Sequence, residues 1–236
     1  MKVGECARST GEDRRQVHAE VEDRCADFDR LAGLYRWMEW LSSGPFLQWC
    51  RCAWIERMRE NRRALVLGDG DGRFTARLLR ANAQIRVDAV DASPAMLRAL
   101  MRRAETEASR VKTQVADLRD WMPALAGYDL IVTHFLLDCL TEREVRRLVR
   151  AVRGVAADGA IWVVSEFAIP RGWLGRIVAT PVVATLYRAF GWLSGLRVQR
   201  LPDYAAAFRE NGFALEDTRT WLGGMLASEV WKLRNQ

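Results

Sequence analysis

The feature that most constrains this chain is a change of hydrophobic period after residue 63. The apolar run 64-ALVLG-68 reads as a buried strand, passes into glycines at alternate positions, and is followed by a helical pattern, 73-RFTARLLRA-81. The same alternation then repeats. Strands are expected at 85-IRVDAVD-91, 111-VKTQVAD-117, 128-YDLIVTHF-135 and 160-AIWVVSEF-167. Helices are expected at 94–108 and 142–156, the first opened by Ser93 as cap and Pro94 at the first helical position. Strand-helix alternation of this kind implies an α/β fold, a parallel sheet with helices on both faces. The chain closes differently. A helix over 202–212, with Gly212 as its C-cap, precedes two strands near 213–222 and 226–234, joined through Gly223-Gly224 as a hairpin.

Before residue 60 the pattern is helical and aromatic, and Ser-Ser-Gly-Pro at 42–45 splits it into two helices. The expected organisation is an N-terminal helical cap over 1–60 and a wound-sheet domain over 61–236, interrupted by an apolar helical insertion at 171–196. With 236 residues, half of them hydrophobic, such a chain has enough material for one large core. The net charge of +6 comes almost wholly from arginine, since Lys2, Lys112 and Lys232 are the only lysines. Those arginines are interleaved with acids, as in 142-EREVRRLVR-150, which is the pattern of a solvated helix face, so no nucleic-acid partner is expected. The five cysteines have no zinc-like spacing, and no metal is expected. The opening residues are polar and charged, and no uncharged apolar run reaches bilayer length, so the cytoplasm is the expected compartment.

The loop 68-GDGDG-72 has neither the lysine of a phosphate-binding P-loop nor the G-x-G-x-x-G spacing of a dinucleotide site. Its two acids, Asp69 and Asp71, are ill suited to a pyrophosphate. Glycines at Gly68, Gly70 and Gly72 let a ligand approach the backbone closely, although a tight structural turn is the competing reading. Asp91 ends the second strand about twenty residues past the loop, where a carboxylate can accept from both ribose hydroxyls. Asp117, after the third strand, is placed to take an adenine amine, and Met96 to pack on the adenine face or into the core. Ala92 and Leu118, next to those acids, complete the expected cofactor surface, with Thr133 at the end of strand four. The ligand so described is an adenosine bearing a cation and not a pyrophosphate.

These motifs give the chain a resemblance to the class I S-adenosylmethionine-dependent methyltransferases from about Asp27 onward. The family's glycine motif matches 67-LGDGDG-72, its ribose acid Asp91, and its adenine-side acid Asp117. The resemblance implies a doubly wound, Rossmann-like sheet of seven strands with the last antiparallel, and S-adenosyl-L-methionine as cofactor. Val66 stands where the family often has an acid that contacts the methionine moiety through water, and Asp69 is the expected cofactor-side acid that can compensate. More loosely, residues 28–51 are similar to the opening of the ubiquinone and menaquinone C-methyltransferases, which implies that Tyr35 lies by the cofactor.

Methyl transfer from a sulfonium needs alignment and, for an O–H or N–H acceptor, a base. His134, Asp138 and Glu166 lie at or just past strand ends and are the catalytic candidates; a packed imidazole and a turn-capping acid are the plain alternatives for the first two. The expected function is methyl transfer to a small apolar acceptor, quinone-like, phenolic or a secondary metabolite. A non-methylating reaction on the same cofactor, or a cofactor-binding partner protein, are the competing readings. Segment 171–196, with its tryptophans and arginines, is either a helical cap or a peripheral membrane contact.

Overall fold

The computed structural model describes residues 44–168 and 202–234. The first helix of the expected cap, Tyr35 and the 171–196 insertion lie outside these residues. What remains of the cap is α1 (Gly44–Arg51), followed by a 3-10 turn at Ile55–Met58. Trp54 is core, whereas Trp49 is half exposed.

The wound sheet then begins. In chain order it comprises β1 (Arg63–Leu67), α2 (Arg73–Ala81), β2 (Arg86–Asp91), α3 (Pro94–Ala104), β3 (Val111–Val115), β4 (Tyr128–His134), α4 (Glu142–Arg153), β5 (Ala156–Phe167), α5 (Tyr204–Glu210), β6 (Phe213–Trp221) and β7 (Leu226–Leu233). The seven strands lie in the order β3-β2-β1-β4-β5-β7-β6, and β7 runs antiparallel to both its neighbours. The expected fold is therefore present: a class I, Rossmann-like α/β sheet with its last strand reversed.

Local chemistry explains the element ends. Ser93 Oγ accepts from Met96 N at 3.2 Å, and Pro94 follows, so α3 starts where its caps predict. The helix stops at Ala104, four residues short of the expected end, because Glu105 takes φ +52 and the chain continues as a 3-10 turn. Thr141 and Glu144 form a reciprocal capping box on α4. Val145, Leu148, Val149 and Val152 repeat at helical spacing and bury one face of that helix. At α5 the cap is Asn211 and not Gly212; Gly212 is the next residue, in the left-handed region at φ +84.

Two cores fill the two faces. One, under α4 and α5, holds Trp162, Phe208, Phe213 and Trp231, with ring centroids 4.5–5.6 Å apart. The other, under α2 and α3, is built on Phe74, Leu78, Leu100, Val66 and Val132. Strands β1 and β4 are buried on both sides, which is why their sequences are continuously apolar.

The register matters most for function. Leu67 pairs with Val90 on one side and with Thr133 on the other; Asp91 pairs with Val115, and His134 with Ser165. The carboxyl ends of β1, β2, β4 and β5 therefore stop level. The chain leaves β1 toward β2 and β3 on one side and returns with β4 on the other, so a crevice opens at the β1/β4 reversal.

Candidate active site

The glycine loop hangs from the end of β1. Gly68, Gly70 and Gly72 all have positive φ, at 67°, 61° and 77°. Their reasons differ. A Cβ on Gly72 would sit 2.7 Å from the Leu100 backbone, so this glycine lets α3 pack against the loop. A Cβ on Gly70 would meet only Met96 Sδ, at 3.9 Å, so the backbone there is open to a ligand.

Asp91 sits across from this opening. Its Oδ2 accepts from Gly70 N at 3.1 Å and its Oδ1 from Ser93 N at 2.9 Å. Burial raises its pKa, and the amides of Ser93, Gly70 and Ala92 oppose that shift. The carboxylate is thus fixed by main chain, with lone pairs to spare for a diol. Ala92 and Met96 flank it on the turn into α3, and Leu118 is buried beneath the next loop.

Asp117 is differently engaged from what an adenine contact requires. Both of its oxygens accept from the Arg119 guanidinium, at 2.6–2.9 Å, and Oδ1 also takes Arg119 N. Thr133 is turned away altogether. It is fully buried on the α4 side, where its Oγ1 accepts from Trp162 Nε1 at 3.0 Å, so the side chain expected on the cofactor is in the core.

On the opposite face His134 Nδ1 lies 2.9 Å from Ser165 Oγ, which is 2.9 Å from Ser228 Oγ. Phe74 packs edge-on against the imidazole, 4.5 Å between centroids. Burial, reinforced by the charge of Arg51, holds the His134 pKa well below its ordinary value, so the ring is neutral. Its Nε2 is buried and without a hydrogen-bond partner.

Glu166 is 1% exposed. Its Oε1 accepts from Leu136 N at 3.1 Å and Leu137 N at 2.8 Å, and the Asp138 amide also donates to the carboxylate. Glu166 therefore caps the turn that carries Asp138. Burial first, and then the charge of Asp138, pushes its pKa well up. Asp138, at 7% exposure, is the more accessible of the two acids. The turn begins at Phe135, a non-glycine residue at φ +54, whose ring lies 5.3 Å from the Arg51 guanidinium and 5.1 Å from the Phe167 ring.

An open glycine turn facing a main-chain-anchored acid suits a nucleoside, and residues 64–159 match the family model described as a methyltransferase domain. The matched segment is a methyltransferase domain, set in a sheet of the class I order. Such domains take S-adenosylmethionine, and the crevice residues fit it: bare backbone at Gly70, a fixed carboxylate at Asp91, and a buried Asp69 oxygen that lacks a donor.

Solved structures share the fold of this methyltransferase domain. An O-methyltransferase family protein from Burkholderia thailandensis superposes with TM-score 0.67 at 16% identity, over 91% of this chain and 63% of its own. The mitomycin 7-O-methyltransferase MmcR gives 0.63 at 16%, over 80% of this chain and 54% of its own. The N-methyltransferase NodS from Bradyrhizobium japonicum, in complex with S-adenosyl-L-homocysteine, gives 0.58 at 16%, over 78% and 86%. The chain thus spans somewhat over half the length of the first two. No curated protein matches it significantly in sequence.

Several residues of the methyltransferase domain's site were not singled out from sequence. Ser165 and Ser228 are each the single hydroxyl residue of β5 and of β7, and a lone hydroxyl in an apolar strand was the available signal. Arg51, the last residue of α1, reaches Asp69 and His134 electrostatically, which nothing in its helical context foretold.

Proposed function

We propose that this chain transfers a methyl group from S-adenosylmethionine to a small acceptor with an apolar, aromatic body. The observation that carries the reading is the level register of β1 and β2, which sets the Gly70 amide against the Asp91 carboxylate at the mouth of the crevice. Asp91 holds the ribose, Gly70 admits the ligand to the backbone, and Met96, Ala92 and Leu118 line the base. Bound there, the cofactor supplies an already activated methyl group.

The acceptor side is built by this chain's own residues. Phe46, Phe135, Phe167, Trp221 and Leu222 gather about Leu47 and Leu226 at the carboxyl ends of β4, β5 and β6. That rim favours a flat apolar acceptor. Burial and the charge of Asp138 together favour the protonated form of Glu166. Asp138 is the acid that faces the acceptor and takes its proton, while Glu166 holds the turn and tunes Asp138. His134, neutral and packed between Phe74 and Ser165, orients one wall. Among the described residues no helix is long and apolar enough to cross a membrane.

The test is incubation with S-adenosylmethionine carrying a labelled methyl and a panel of phenols, quinols and aromatic amines, read by mass. One added methyl group on a panel member supports the reading. Cofactor binding without transfer to any of them counts against it.

A further inference from the structure

The loop's carboxylates are almost fully accounted for. Asp71 Oδ2 pairs with Arg73 and Arg103 at 3.1 and 2.8 Å. Asp91 is taken by the Gly70 and Ser93 amides. Asp69 uses one oxygen only: Oδ2 accepts from Thr75 N at 2.9 Å and Thr75 Oγ1 at 2.6 Å. Its Oδ1 is buried and accepts nothing. A buried carboxylate oxygen without a donor is unfavourable, and native structures rarely leave one unless water, an ion or a ligand completes it.

Asp69 lies between Gly68, whose α-carbon is backed by the Leu136 side chain, and Gly70, where the backbone is open to the ligand. The sulfonium of S-adenosylmethionine carries charge but no donor hydrogen; its amino-acid arm offers an ammonium that can donate to a carboxylate oxygen. We propose that Asp69 Oδ1 receives the α-ammonium of the cofactor, so that Asp69 reads the amino-acid arm while Asp91 reads the sugar. The assignment rests on the cofactor reading above.

The electrostatics agree. Burial pushes the Asp69 carboxyl up to about 6 against the pull of the Thr75 hydrogen bonds; Arg51 at the end of α1 lowers it and Asp71 in the same loop raises it. Near pH 6 the empty site therefore holds part of a proton. An arriving ammonium favours the carboxylate and drives that proton off.

Calorimetry separates the arm from the nucleoside, with S-adenosylhomocysteine as the ligand that has the arm and 5′-methylthioadenosine as the one without it. Wild type and Asp69→Asn are titrated near pH 6 in two buffers of different ionisation enthalpy. The variant keeps an oxygen for Thr75 but loses the charge. We expect it to bind S-adenosylhomocysteine at least about tenfold more weakly and methylthioadenosine nearly as well as wild type. Wild type should release about half a proton more with the armed ligand than without it, a difference absent in the variant. Equal weakening for both ligands, or equal proton release in wild type, overturns the assignment. If Asp69→Asn does not fold, the wild-type proton count decides alone. If neither ligand binds wild type, the cofactor reading itself falls, and this inference with it.

Discussion

The Gly70 amide donates to Asp91 Oδ2 at 3.1 Å, tying the bare turn after β1 to the carboxylate that ends β2. One hydrogen bond thus joins the turn proposed to admit the cofactor to the carboxylate proposed to grip it. Loss of either partner is felt by the other.

Asp91→Ala should weaken binding of both S-adenosylmethionine and S-adenosylhomocysteine by more than about 1.4 kcal/mol, a factor of ten. The change removes the ribose acceptor and frees the Gly70 amide. Titration calorimetry reads it, and an unchanged Kd would show that the sugar is held elsewhere.

Two glycines of one loop should fail differently. Gly72→Ala drives a methyl into Leu100 at under 3 Å, at φ +77, and should cost about 2–4 kcal/mol of stability. Gly70→Ala, whose Cβ would meet only Met96 Sδ, carries the strain of φ +61 without the clash, so it should cost less stability, about 1–2 kcal/mol, and lose cofactor affinity by more than about tenfold. Urea melts and calorimetry on the two variants, side by side, check the contrast.

Ser165→Val leaves the Nδ1 of a buried imidazole and the Ser228 hydroxyl without their shared partner. The expected loss is about 1–3 kcal/mol in a urea melt. Ser165→Thr, which keeps the hydroxyl, should recover part of it.

Glu166 makes stability depend on pH in a definite direction. Its pKa is raised in the folded state, so the native protein binds a proton there more tightly than the unfolded chain does. That contribution is complete below the ordinary carboxyl pKa and is lost as pH rises through the raised folded value. Glu166→Gln, which cannot ionise yet still offers an oxygen to the 136–138 amides, should lose less stability than wild type between pH 5 and pH 8, above the ordinary carboxyl value. Denaturant midpoints at the two pH values decide it.

Much of this was legible in the sequence, and the exceptions have physical causes. Helix α2 runs over the residues its pattern marks, and Asp91 ends β2 as its distance from the loop suggested, because strand and helix lengths in a wound sheet are narrowly bounded. Thr133 and His134 were both read toward the site, yet neighbours on a strand face opposite sides, so one of them had to be core. Asp117 was matched to adenine by position, while Arg119, two residues on, pairs with the same carboxylate. Sequence spacing shows which acids end strands; it does not show which cation reaches them first. Glu166 was an acid in a buried strand that needed a partner, but its partners are amides thirty residues away.

That last arrangement bears on the order in which the molecule assembles. The turn at 136–138 draws its amide acceptor from β5 and not from its own neighbourhood, so it stays unsupported until β5 has docked beside β4. A chain emerging from the ribosome with β1 to β4 complete already has the nucleoside half of the crevice. The half proposed to touch the acceptor needs Glu166 and Phe167 some thirty residues later, and Trp221 and Leu222 of the closing hairpin later still, so competence to react is among the last properties the folding protein acquires.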